Sequence, residues 1–79
     1  MLYFFNLIAE SEEITDPEGA ELATDEAAQS EAWAIAAELL SEFPDRFQVA
    51  SVLEVVTQEG WRILALPVKR LPTELAHRV

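Results

Sequence analysis

The segment Tyr3-Phe4-Phe5-Asn6-Leu7-Ile8 alternates aromatic and branched side chains between the two sides of an extended backbone, Tyr3, Phe5 and Leu7 against Phe4, Asn6 and Ile8. It predicts a strand buried on much of both faces. Polar Glu10 to Glu13 separates it from Ile14-Thr15, which reads as a short return strand. Asp16-Pro17-Glu18-Gly19 then carries turn chemistry. Proline presets φ at the second turn position, aspartate can bond nearby backbone, and glycine accepts a positive φ. Beyond Thr24 the period changes. Thr24 suits an N-cap, and Asp25 and Glu26 follow where the helix dipole favours acids. Ala28, Ala32, Ile35, Ala36, Leu39, Leu40 and Phe43 keep the spacing of one helical face, which predicts a helix over residues 25–42. Pro44 ends it, because the residue before proline avoids the helical region. The alanines let this helix lie close to a sheet.

From Phe47 the period becomes two, and Gln58-Glu59-Gly60-Trp61 stands between two branched runs as a hairpin turn. Taking Glu59-Gly60 as a two-residue loop pairs Gln58 with Trp61, Thr57 with Arg62, Val56 with Ile63, Val55 with Leu64 and Leu53 with Leu66. One hairpin face then holds Leu53, Val55, Leu64 and Leu66, fit to meet the helix. The other holds Val52, Val56, Trp61 and Ile63, with Glu54 and Ala65 among them, and is too apolar for open water. Pro67 should end the second strand, since proline interrupts a ladder in a sheet interior. Residues 69–79 are expected as an extended, partly mobile tail after a single domain spanning 1–68. The fold class expected is α+β: a single helix packed on an antiparallel sheet of three or four strands, in the order strand or hairpin, helix, hairpin.

Charge changes the picture because it is uneven. The formal net charge is −10, yet residues 1–45 hold twelve acids and no Lys or Arg, whereas residues 46–79 hold three acids and five bases. An acidic field repels phosphates and anionic lipid heads, which disfavours nucleic acid and membrane surfaces as partners. The bland reading of the acidic half is a solvated face; the functional one is a docking face for a basic protein. No apolar run approaches the ~20 residues that span a bilayer, and Met1 to Ala9 lacks the charge order of a signal peptide. With no cysteine, the expected compartment is the cytoplasm.

Composition also thins the chemistry. Cysteine is absent and His77 is the lone histidine, on the expected tail, so neither a nucleophile–base pair nor a zinc ligand set can be assembled in a recognised pattern. Glu12, Glu13, Asp16 and Glu18 offer carboxylates, but a polar turn does not supply the burial that raises an acid's pKa. Their spacing is not that of a calcium loop, and two glycines build no phosphate cradle. The chain is therefore expected to be non-enzymatic and to carry no cofactor or metal.

A chain of 79 residues leaves a small core, and with neither disulfide nor metal to staple it, oligomerisation is the remaining device. Val52, Val56, Trp61 and Ile63 form the candidate interface of a homodimer. Trp33 lies at the edge of the helical stripe; it reads either as a residue lapping over the core rim or as a partner anchor.

Three groups of residues together carry a family likeness: Tyr3-Phe4-Phe5-Asn6, then Asp16, Gly19, Glu21 and Leu22, then Ala28 and Ala32, with a weaker echo at Gly60 and Leu64-Ala65-Leu66-Pro67. In these the chain resembles a family of small uncharacterised bacterial proteins, of rhizobial type, that open with a Tyr-Phe-Phe strand and form a domain of unknown function. The resemblance implies one domain and a bacterial source, and assigns no residue a role. The chain differs from that family in its lack of basic residues in the helix and in its long tail. A looser similarity, through the aromatic strand, the glycine turn and the spacing of Asp25-Glu26-Ala27-Ala28 and Glu31-Ala32, is to HicB-type antitoxins. It implies an alternative role as an antitoxin-like regulator of a small basic toxin, touching DNA only through Lys69, Arg70 and Arg78.

Overall fold

The computed structural model describes residues 1–70. It contains β1 (Leu2–Ile8), β2 (Glu13–Ile14), β3 (Ala20–Glu21), α1 (Asp25–Glu42), β4 (Ser51–Thr57) and β5 (Arg62–Val68). All five strands form one antiparallel sheet with one helix on it, the α+β architecture expected. β1 and β4 are central, β5 forms one edge, and β2 and β3 lie end to end along the other. The return strand is Glu13–Ile14, a residue earlier than expected, and β3 was not foreseen: Ala20 and Glu21 pair with Tyr3 and Leu2.

The break between β2 and β3 is filled by a side chain. The Asp16 carboxylate accepts the backbone N–H of Phe5 at 3.3 Å on one oxygen and those of Glu18 and Gly19 at 3.3 and 3.0 Å on the other. One carboxylate thus replaces a missing stretch of strand and shapes the turn. Gly19 has φ +76°, and a Cβ there would stand 2.9 Å from the Tyr3 carbonyl oxygen, so both conformation and space require glycine.

The helix has the bounds its sequence pattern predicts, and Thr24 caps it, its Oγ1 accepting the Ala27 N–H at 3.0 Å. Ala28, Ala32 and Ala36 are buried against β4 and β5. Ser51, Leu53, Val55 and Thr57 line the inner face of β4, and Tyr3, Leu66 and Val68 complete the core. Phe43 departs from the predicted stripe: it is the C-cap residue and is 42 % exposed.

No basic residue lies in the last helical turn. Arg70, just past β5, supplies the missing charge from 30 residues away, its guanidinium donating to the Leu40 carbonyl and, at 3.0 Å, to that of Phe43. Its Nε also reaches the Arg46 carbonyl at 3.3 Å, and its backbone N–H reaches that of Phe47 at 2.7 Å. Exposed carbonyls at a helix C-terminus need donors, and a cation there meets the negative end of the dipole. Phe47 adopts φ +71°, uncommon for a bulky residue, while its side chain packs on the core. Of the tail expected over residues 69–79, Arg70 is held by these bonds, and residues 71–79 lie outside the described ones.

The hairpin register needs one correction. Gly60, at φ +97°, donates to the Thr57 carbonyl at 2.9 Å, and the Thr57 N–H donates to the Trp61 carbonyl at 2.8 Å. The loop thus has three residues, with glycine in the left-handed position. Val56 faces Arg62, not Ile63, and a bulge then restores the expected register from Val55–Leu64 onward. Proline does not end β5 either: Pro67 pairs with Val52 inside the strand, tolerated because β5 is an edge.

Candidate functional site

Opposite the helix, the sheet presents an outer face of Leu2, Phe4, Asn6 and Ile8 from β1, Val52, Glu54 and Val56 from β4, and Arg62, Ala65 and Pro67 from β5. The β1 and β4 members are half-buried; those of β5 are exposed. Period-two alternation puts them there: the inner-face set is consumed by the core, and one helix can cover only one side of a sheet.

A polar row crosses this face. Asn6 accepts the Asp16 N–H on Oδ1 at 2.9 Å and donates through Nδ2 to a Glu54 carboxylate oxygen at 3.2 Å. The other Glu54 oxygen stands 3.9 Å from the Arg62 guanidinium. Leu2, Phe4 and Val56 lie on one side of the row, Ile8 and Val52 on the other. The Arg62 contact is long and water-exposed, worth about 0–1 kcal/mol. Its larger consequence is that one acid and one base leave the β1, β4 and β5 part of this face neutral on a chain of net charge −10. The acids of the helix lie behind the sheet, and Glu13 and Glu21, opposite Ile8 and Leu2, line the β2–β3 edge.

The candidate interface residues are brought together only in part. Val52 and Val56 share the outer face as expected. Ile63 is the bulged residue and packs toward the core instead, because the three-residue loop consumes one position. Trp61 stands opposite Thr57, an inner-face residue, and is 73 % exposed. Trp33 projects from the helix and is 63 % exposed. Leu2, Phe4, Asn6, Ile8 and Arg62 join the face without having been singled out, because the signal that recruits them is the β1–β4 pairing, a contact between distant parts of the chain.

Two other places hold polar groups. Tyr3 is fully buried, and its hydroxyl donates to the Asp25 carboxylate at 2.6 Å. That hydrogen bond, then burial, then the charges of Asp25, Glu26 and Glu21 push the phenol up to about 12. An open cleft of about 320 Å³ lies between residues 9–14 and 45–51, bridged by Glu12 and Arg46 at 3.4 Å. Among the described residues no group of three or more His, Cys, Asp or Glu is placed to hold a metal ion, and no helix is long and apolar enough to cross a membrane. Arg70, one of three bases a DNA contact would need, is engaged on the helix end.

Among the described residues one helix covers one face of an antiparallel sheet and nothing covers the other, half-apolar face, which defines a small α+β domain with an open sheet surface. The chain belongs to a family defined by a domain of unknown function, DUF6894, which matches residues 2–69. The match takes in every strand and the helix, and stops one residue short of Arg70. No curated protein and no solved structure matches the chain.

Proposed function

We propose that this domain is a non-enzymatic protein-interaction module that self-associates through the outer face of its sheet and offers its acidic N-terminal half to a basic protein. The observation that supports it is the half-buried apolar set Leu2, Phe4, Ile8, Val52 and Val56 on a face that no element of the described chain covers. Apolar surface of this kind on a small domain marks an association site. The acids support the second part: residues 1–45 carry no Lys or Arg, and the helix carries Asp25, Glu26, Glu31, Glu38 and Glu42 behind the sheet, away from the outer face. The two surfaces can therefore be used together.

Light scattering across 1–200 μM tests the self-associating part. A mass rising toward two chains supports it, and a constant mass of 8.8 kDa overturns it. For the acidic half, titration with a basic test protein at low and high salt should show binding that salt abolishes. Salt-insensitive binding, or none, removes that part of the proposal.

A further inference from the structure

The outer face is polar from one edge to the other, and this points to its occupant. Glu13 and Glu21 line the β2–β3 edge, with Glu18 in the turn between them, and Glu21 also binds the Met1 amino group at 2.6 Å. Arg62 stands on the opposite edge, β5, with Lys69 just past that strand's end. The middle is apolar but for the Asn6–Glu54 row. A strongly basic partner would prefer the helix side and the acidic edge; a strongly acidic one would be repelled throughout. A surface with an acidic edge, an apolar middle and a basic edge is complementary to itself.

Resting on the self-association proposed above, we infer that two copies pack outer face to outer face about a two-fold axis parallel to the strands, Arg62 of each copy meeting the acidic β2–β3 edge of the other. Rotation about that axis exchanges the sheet's two edges and reverses the face, so β5 of one copy lies over β2–β3 of its partner, and β1 lies over β4. A two-fold axis perpendicular to the strands but in the interface plane would instead stack like edges and set acids against acids. Isologous contact requires this self-complementarity, and only the first axis supplies it.

Size sets the strength. A sheet four strands wide at ~4.8 Å spacing, its three long strands of seven residues each, makes a face of about 20 by 23 Å, on the order of 450 Å² per partner. That is at the small end of specific interfaces, so a dimer dissociating at tens of micromolar is expected.

Sedimentation equilibrium with charge variants tests the inference. Arg62→Glu should weaken the dimer about tenfold, because two symmetric attractions become repulsions. A second chain carrying Glu18→Arg and Glu21→Arg, the edge acids nearest the level of Arg62, should also associate poorly alone, yet mixing it with the Arg62→Glu chain should restore a heterodimer. Ala65→Glu, on the exposed side of β5, should abolish dimerisation while leaving the circular dichroism of the monomer unchanged. If Ala65→Glu dissociates the dimer but Arg62→Glu and the mixture have no effect, the face is right and the axis is overturned. If Ala65→Glu has no effect on a dimeric wild type, the face itself is overturned. A wild type that is monomeric at 200 μM removes this inference and the self-association beneath it.

Discussion

Gly19 and Gly60 both hold positive φ, but they are not equivalent residues. A Cβ at Gly60 meets nothing within 4 Å, whereas one at Gly19 collides with the Tyr3 carbonyl and crowds Leu2 and Phe4. Gly60→Ala should therefore destabilise by only the conformational term, about 1 kcal/mol, and Gly19→Ala by about 2–4 kcal/mol, measured as the shift in urea midpoint. Tyr3 invites a second comparison. Tyr3→Phe removes a hydroxyl bonded to a carboxylate and should cost about 1–3 kcal/mol at neutral pH. The pH dependence has a definite sign. The folded phenol is raised to about 12 from an ordinary value of 10, so the unfolded chain loses its proton first. The stabilisation from this pair is fully present below pH 10 and falls as pH rises through 10 toward 12. Alkaline unfolding followed by fluorescence should show that fall in the wild type and a weaker one in Tyr3→Phe.

At the scale of elements, the helix was the most legible part of the sequence. Thr24, the acids after it, the alanine stripe and Pro44 are local signals, and the helix has the bounds they predict. The turn at Asp16-Pro17-Glu18-Gly19 was legible for the same reason, though what Asp16 does for Phe5 was not. The hairpin was legible except at its loop: counting from a two-residue turn misplaced Val56 and Ile63, while Val55 and Leu64 fell correctly because the bulge returns the missing residue. β3 left no signal, since two residues fixed by pairing to β1 carry no period of their own. From sequence Arg70 is a base on a tail, because nothing local links it to a helix ending 28 residues earlier. Arg70→Gln should cost about 1–2 kcal/mol and speed amide exchange over residues 39–43, and Arg70→Lys should recover only part, a single ammonium being a poor match for several carbonyls at once. Thr24→Ala should cost about 1 kcal/mol at the other helix end, and the two losses should add, since the sites share no partner.

For the whole molecule, the candidate surface was half legible. Val52 and Val56 followed from alternation alone, but the face as an entity, with Asn6, Glu54 and Arg62 across it, exists only once β1 lies beside β4. If that face closes on a second copy, the melting temperature should rise with protein concentration between 5 and 200 μM, because association stabilises only the folded chain. Trp33, on the opposite side, should stay fully quenchable by acrylamide throughout. The placement of Arg70 bears on synthesis as well. A nascent chain completes its helix at Glu42 long before the arginine that caps it emerges, and before β4 arrives to pair with β1. Ribosome-bound chains stalled short of Arg70 should thus remain protease-sensitive, and the fold should close late and in one step rather than growing from its amino end.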